Sequence, residues 1–108
     1  MNGFDFEKYQ QNIEQKLVDY NDIPGYMRES VVNYIMHGRA TGSFLHAVLS
    51  NNLSAAVSRG DDNNQRAIVS YVKFLHNHAP IGCHGSEGAV DYWKKIGGMH
   101  GQMTADHI

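Results

Sequence analysis

Residues 23 to 53 read IPGYMRESVVNYIMHGRATGSFLHAVLSNNL, and this stretch decides the fold of the chain. Pro24 predicts a helix start, because its missing N–H would stay unpaired in the first turn anyway, and Asp22 or the next residue can cap that turn. Apolar residues then recur at steps of three and four as far as Ile35. Gly38 follows as a helix end. The first half of the stretch therefore predicts one complete helix.

The second half of the stretch predicts a polar link and another helix. The link is RATGS, residues 39 to 43, in which Thr41 or Ser43 is expected to cap the helix that follows. The run FLHAVL, residues 44 to 49, gives that helix a narrow apolar face. The two asparagines after it tolerate left-handed backbone, so they predict a turn.

The chain before this stretch predicts an amphipathic lead-in helix. Apolar side chains fall every three or four positions over residues 4 to 20, and Asp5 suits the positive end of a helix dipole. The stripe consists of Phe6, Tyr9, Ile13, Leu17 and Tyr20.

The chain after the stretch also has helical spacing. One or two helical turns are expected from Leu53, Ala56 and Val57, and Asp61-Asp62 is expected to cap a helix over about residues 62 to 78. The inward stripe of that longer helix is predicted as Ile68, Tyr71, Val72 and Leu75.

A last short helix is predicted to start at Ser86, with Val90 and Trp93 buried. The tail from Gly97 contains too much glycine to predict regular structure. No strand-like alternation and no internal repeat occurs. The class is therefore predicted as all-α.

At 108 residues the chain is expected to form a single helical domain over residues 1–108. Its parts are a lead-in helix over residues 1–21, a compact bundle of about five short helices in all, and a glycine-rich tail over residues 97–108. Broad apolar faces on short helices also predict a homo-oligomer, which would bury what one subunit cannot.

Composition narrows the range of partners. The net charge is −2, the pI is near 6.3, and nine Lys and Arg are spread over the chain. These values argue against binding long nucleic acid or an anionic membrane. The sequence has a single cysteine, shows no signal-peptide pattern and contains no apolar run of about 20 residues. These features predict a soluble protein of a reducing cytoplasm.

The seven histidines do not predict a metal site. His76 and His78 are two positions apart, so on a helix they point to different sides. Cys83-His84 has no second pair at zinc-like spacing, and neighbours in sequence rarely align a thiol with its base. We therefore expect no metal, no cofactor and no enzymatic activity.

Anion binding is the more specific possibility. Thr41 and Ser43 place hydroxyls beside free backbone N–H groups at a helix start, directly after Arg39. Arg28 and Arg59 could add guanidinium contacts to phosphates. Simple helix capping is the alternative interpretation of the same residues.

Aromatic and amide side chains could complete such a site. Tyr26 falls off the apolar stripes, so it could stack on a flat ligand or a neighbouring subunit. Tyr34 falls on a stripe, where a place in the core is the simpler interpretation, yet it is kept as a second stacking candidate. Asn51 or Asn52 could bind a base edge or only form the turn.

The chain resembles a family of small proteins encoded by bacteriophages. About two-thirds of the residues carry the resemblance, without the N-terminal helix and the tail. The matching pieces are Ile23-Pro24, Arg28, Tyr34, Gly38, Gly42, Phe44 to Leu49, Asn51 to Leu53, Ala79-Pro80, Gly82-Cys83, Gly85-Ser86 and Trp93.

The resemblance implies a function in phage anti-defence. Similar proteins are non-catalytic, homo-oligomeric sponges that sequester cyclic oligonucleotide immune signals such as those of CBASS, often in pockets between subunits. His84 stands where that family has a tryptophan, so a stacking role at this position does not carry over.

The leading hypothesis is a cyclic-dinucleotide sponge in the cytoplasm of an infected bacterial host. Arg39, with Arg28 or Arg59, would contact phosphates, Thr41 and Ser43 would donate hydrogen bonds, and a tyrosine would stack on a base. The alternative is a protein-binding inhibitor or host-takeover factor that acts through apolar helix faces. A virion or packaging accessory protein comes third, and a nucleotide-cleaving enzyme last.

Overall fold

The computed structural model describes residues 3–104, and most of them are helical. No strand occurs within that range, which confirms the all-α prediction. The helices are α1 Phe6–Asp19, α2 Arg28–His37, α3 Ser43–Leu49, α4 Leu53–Arg59, α5 Asp62–Arg66, α6 Ile68–His78, α7 Glu87–Ile96 and α8 Gly98–Thr104, and a 3-10 turn, Gly25–Met27, precedes α2. About five helices was therefore too low a count.

Helix α1 begins and packs as its sequence predicts. The Asp5 carboxylate accepts a hydrogen bond from the Lys8 backbone N–H at 3.0 Å and so caps the first turn. Ile13 and Leu17 are its fully buried residues, and they face the rest of the bundle. The helix ends at Tyr20, whose N–H donates to the Leu17 carbonyl.

Helix α2 ends at Gly38, as expected, because this residue adopts left-handed backbone with φ of 67°. The predicted cap of α3 by Thr41 or Ser43 was wrong. Gly42, in extended backbone, is the N-cap residue, and no side chain caps the helix. Ser43 is already the first helical residue and Thr41 lies one position too early, so neither stands at the capping position.

The chain turns sharply after α3. Asn51 has the left-handed φ of 64° that the sequence predicted, and the Asn52 side chain caps α4 by accepting from the Ala55 N–H. Asp61 caps the next segment, as expected. The single helix predicted over residues 62 to 78 is instead divided at Ala67 into α5 and α6.

The C-terminal segment is more regular than its glycines predicted. Gly97 ends α7 in left-handed backbone, and α8 follows over Gly98–Thr104. The reason is tertiary: α8 packs on α2, with Met99 buried and Gly98 against the backbone of His37 and Gly38. Residues 105–108 of the predicted tail lie outside the described residues.

Helix α2 contributes Val31, Val32, Tyr34, Ile35 and Met36 to the buried core and contacts both α1 and α8. The Trp93 indole N–H from α7 is shared between the carbonyls of Tyr34 and Ile35, at 3.0 and 3.2 Å. The Tyr34 hydroxyl in turn donates to the Cys83 carbonyl at 2.7 Å. Each of these buried polar groups is therefore paired, as close packing requires. No helix within residues 3–104 has the length and hydropathy to cross a membrane.

Candidate functional site

The residues predicted to bind a nucleotide do not meet in one place. Arg28 begins α2, while Arg39 and Thr41 follow its end, so a ten-residue helix of about 15 Å separates them. Arg39 and Ser43 are exposed. Within one chain, the Arg28 guanidinium therefore does not lie beside the start of α3.

The two stacking candidates differ sharply in exposure. Tyr34 is 1% exposed, with its hydroxyl bonded to a backbone carbonyl, and burial raises the pKa of this phenol. Its prediction as a ligand-stacking residue does not agree with the structure, because its ring already packs inside the core. Tyr26 is exposed, and its hydroxyl donates to Asp61 Oδ2 at 2.6 Å. Arg59 lies exposed in the last turn of α4.

Asn51 and Asn52 line a surface depression that we call the α4–α6 groove. Its lining comes from helices α3, α4 and α6 and from the turn between α3 and α4. The lining residues are Ala47, Val48, Asn51, Asn52, Leu53, Ala56, Ile68 and Val72. Two of the predicted site residues thus belong to one concave surface with an apolar lining.

The groove continues into a histidine pocket, a cavity of about 220 Å³. Val48, Asn51 and Val72 belong to both, and the pocket adds Leu75, His76, His84 and Gly85. Burial lowers the pKa of His84; a hydrogen bond with the Leu75 backbone opposes this shift, and the nearby His76 adds to it. The sequence did not predict this pair, because His76 is on α6 and His84 is in the loop before α7.

The rim of the groove is apolar and exposed. Leu53 and Val72 line the groove, Val57 and Val69 lie one turn away on the same helices, and all four keep between 49% and 64% of their surface open to solvent. Leu53 and Val57 lie one turn apart on α4, and Val69 and Val72 lie one turn apart on α6.

Several of these side chains were predicted to face inward. Leu53, Val57 and Val72 belonged to the predicted apolar stripes, whereas the buried side of α6 is formed by Tyr71, Phe74 and Leu75. Periodicity identified an apolar face on each helix, but it could not show which face the neighbouring helices cover.

The three helices that line the groove have no carboxylate of their own, although Asp22 accepts a hydrogen bond from Ser70 on α6 and Glu87 pairs with His46 on α3. Helices α3, α4 and α6 contain no Asp or Glu, although the whole chain has a net charge of −2. Lys73 and His76 lie on the outer face of α6 with Val69 and Val72, since all four fall within a narrow arc of the helix. The groove therefore combines an apolar rim with a locally basic border.

A second depression, the α1–α2 cleft, holds about 360 Å³ and includes Arg28. Leu17, Val18 and Val32 give it an apolar side. Its other lining residues are polar: Gln10, Glu14, Glu29 and Asn33. The cleft is separate from the groove, with no lining residue in common.

Metal-binding side chains and the lone cysteine were two features weighed in the sequence. Within residues 3–104, no three His, Cys, Asp or Glu side chains come together as a possible metal site. Cys83 is fully buried, and burial raises the pKa of its thiol to about 12. The thiol is therefore protonated at neutral pH and is a poor nucleophile.

Comparison with known proteins gives no match from which a function could be proposed, so the proposal below rests on the geometry of the structure. The chain matches no model of a protein family, no curated protein and no solved structure.

Proposed function

We propose that the protein is a non-catalytic binding protein whose α4–α6 groove receives an apolar, acidic segment of a partner protein. The observation that carries this proposal is the exposed apolar rim around a concave surface free of carboxylates. Contiguous apolar surface of this kind is typical of sites where proteins bind one another.

The groove is shallow, with a volume of about 40 Å³, so a bound helix or extended peptide would rest mainly on the exposed apolar side chains around it. Two helices form apolar ridges with a shallow depression between them, and amphipathic helices bind such grooves with residues at i, i+3 or i+4, and i+7. Covering the exposed half of each rim side chain contributes about 1 kcal/mol. Four such side chains supply a hydrophobic centre for a moderate-affinity complex.

The border of the groove sets the charge of the segment. Lys73 and His76 present positive or hydrogen-bonding groups, and no carboxylate on α4 or α6 opposes an incoming acid. Charged groups at a rim mainly steer association and select the partner. We therefore expect Asp or Glu beside the apolar anchors of the segment, and binding that weakens as salt concentration rises.

A peptide-display selection tests this proposal with random peptides in place of the partner. The peptides would be selected on the intact protein and counted again on Val72→Asp, which places a charge on the rim. Val18→Asp is the matched control, because Val18 is a half-exposed valine on α1, outside the groove. We expect enriched peptides to carry helically spaced apolar residues and acids, and to bind the control but not Val72→Asp. Peptides that bind all three proteins equally would refute the proposal.

The cyclic-nucleotide sponge is a second candidate, supported by the position of Asn51 and Asn52 on this carboxylate-free groove. The exposed Arg59 ends the same helix α4. Arg39 with its helix start would reach such a ligand only from another subunit, since it lies beyond the opposite end of α3. This candidate therefore includes a homo-oligomer with pockets between subunits, acting in the cytoplasm of an infected bacterium.

Calorimetric titration separates the two candidates. Cyclic di- and trinucleotides would be added to the intact protein and to Arg39→Ala, with the oligomeric state measured by light scattering. The sponge hypothesis predicts binding by an oligomer, loss of affinity in Arg39→Ala, and intact ligand recovered after denaturation. Absence of heat with every nucleotide, at protein concentrations well above micromolar, would exclude it.

A further inference from the structure

Two histidine side chains meet where the end of α2 packs on α8. His37 is the last residue of α2, and His100 lies in the first turn of α8. Their ring centroids are 6.0 Å apart, with the ring planes inclined at 42°. Both residues are exposed, so ions in solution can reach them. Within residues 3–104, neither imidazole forms a hydrogen bond or an ion pair, so its nitrogens are available to a ligand.

The distance between the two rings suits a pair of ligands to one metal ion. An imidazole nitrogen binds zinc at about 2.0–2.1 Å, which places the centre of the ring about 3.2 Å from the ion. Two rings at a tetrahedral angle around the ion then have centroids about 5.2 Å apart, and two rings on opposite sides have centroids about 6.4 Å apart. The observed 6.0 Å falls between these limits. Rotation of the two exposed side chains can therefore bring both rings onto one ion.

The backbone holds the two histidines near each other. Gly98, at the start of α8, lies against the end of α2, because a Cβ built on Gly98 would be only 2.7 Å from the His37 nitrogen. Phe6 of α1 also packs on the His100 ring, with ring centroids 4.6 Å apart. The positions of the two rings are thus largely set by the fold before an ion binds, which favours binding.

The protein would supply two ligands and leave the remaining coordination positions open. No third His, Cys, Asp or Glu side chain of residues 3–104 joins the pair. Arg39 follows the end of α2, and the Lys94 Cα would be 3.1 Å from a Cβ built on Gly38, so cationic residues border the site. Their charge opposes a cation. We therefore expect weaker binding than at a closed four-ligand site, with water or an anion at the open positions.

We propose that His37 and His100 form a binding site for a divalent transition-metal ion, zinc, nickel or copper, that joins α8 to α2. Imidazole suits these three ions, and Cu²⁺ binds nitrogen ligands most tightly of them. Mg²⁺ and Ca²⁺ prefer oxygen ligands and should not bind. An ion held by two helices binds the folded protein better than the unfolded chain, so it stabilises the fold. This inference does not depend on the partner proposed for the α4–α6 groove, because neither histidine lines that groove.

NMR with Cu²⁺ tests the position of the site on the intact chain, prepared without an affinity tag. Cu²⁺ is paramagnetic, so it broadens the signals of nuclei close to it. With less than one equivalent of Cu²⁺, we expect broadening at His37, His100 and their neighbours, while the signals of His46, His76 and His84 stay sharp. Broadening centred on other residues, or no broadening, would overturn the proposal.

Zinc binding by variants identifies the ligands. Loss of even an outer partner of a metal ligand typically lowers affinity by about 10–100-fold, so His37→Gln and His100→Gln should each bind zinc at least about tenfold more weakly in equilibrium dialysis. His46→Gln is the matched control, because His46 also lies beside a possible ligand, the Glu87 carboxylate, and it should bind zinc as the intact protein does. Equal binding by His37→Gln or His100→Gln would overturn the proposal, as would no binding by the intact protein at about 1 mM zinc.

Urea unfolding tests whether the ion joins the two helices. Zinc should raise the urea midpoint of the intact protein and of Val72→Asp, whose substitution lies in the groove, and should leave the midpoint of His100→Gln unchanged. Mg²⁺ at the same concentration should change none of the three. A cooperative transition without metal shows that each variant is folded. An equal rise in His100→Gln, or no rise in the intact protein, would overturn the proposal.

Discussion

Gly98→Ala should destabilise the fold strongly, because two backbones meet at Gly98. A Cβ at this position would lie 2.5 Å from the Gly38 nitrogen and 2.7 Å from the His37 nitrogen, and both are backbone atoms that cannot rotate away. Gly98 also has a φ of 69°, in the left-handed region, and a residue with a side chain in that conformation destabilises the folded state by about 1–2 kcal/mol. Overpacking adds about 1–3 kcal/mol. The free energy of unfolding should therefore fall by roughly 2–5 kcal/mol.

Gly82→Ala is the matched control for this prediction. Gly82 also has positive φ, 89°, but a Cβ there would meet no atom within 4 Å. This variant should therefore show only the backbone cost, about 1 kcal/mol after the entropy lost by the unfolded chain is subtracted. Urea unfolding followed by circular dichroism measures both variants. An equal loss in the two would show that α2 and α8 do not approach as closely as described.

Three further outcomes are expected from buried or bonded polar groups. Tyr71→Phe should lower the free energy of unfolding in urea by about 1–3 kcal/mol, because the Tyr71 hydroxyl donates to the buried Asn64 Oδ1 at 2.6 Å. A decrease of less than about 0.5 kcal/mol would argue against that hydrogen bond. The pKa of Asp61 is lowered by two hydrogen bonds, chiefly the one from the Tyr26 hydroxyl and then the one from the Asn64 N–H. The ionised Asp61 therefore stabilises the fold fully above about pH 4, and this stabilisation is lost as the pH falls through the pKa of Asp61 in the folded protein. Asp61→Asn should thus make stability less dependent on pH below about pH 4, and an unchanged acid profile would contradict this. Burial raises the pKa of the Cys83 thiol to about 12, so a thiol reagent should modify Cys83 only in denaturant, and rapid reaction with the native protein would refute its burial.

Local chemistry made part of the fold predictable. Asp5, Asp61 and Ser86 each cap a helix, and their short acceptor side chains next to an apolar repeat are a signal that needs no tertiary context. Gly38 ends α2 and Asn51 turns the chain for an equally local reason, the low cost of left-handed backbone.

The missed features depend on contacts between distant segments. Ala67 favours helix, yet α5 and α6 divide there, and nothing in its identity indicates a break. Helix α8 forms in spite of its glycines because α2 receives it, and Gly98 is required where the two backbones meet.

The candidate sites could be predicted only in part. Asn51 and Asn52 were identified and do line the groove, but Leu53 and Val72 were expected to be covered. Exposure of an apolar face is a property of the whole arrangement of helices, which periodicity within one helix does not contain.

The single tryptophan of the chain provides an intrinsic fluorescence signal that follows folding. Trp93 is 1% exposed, and it joins α7 to the backbone of α2, so its emission should move to longer wavelength when those helices separate. It lines neither the α4–α6 groove nor the α1–α2 cleft. A variant that loses a ligand but keeps native tryptophan emission has therefore lost a contact with that ligand and not the fold.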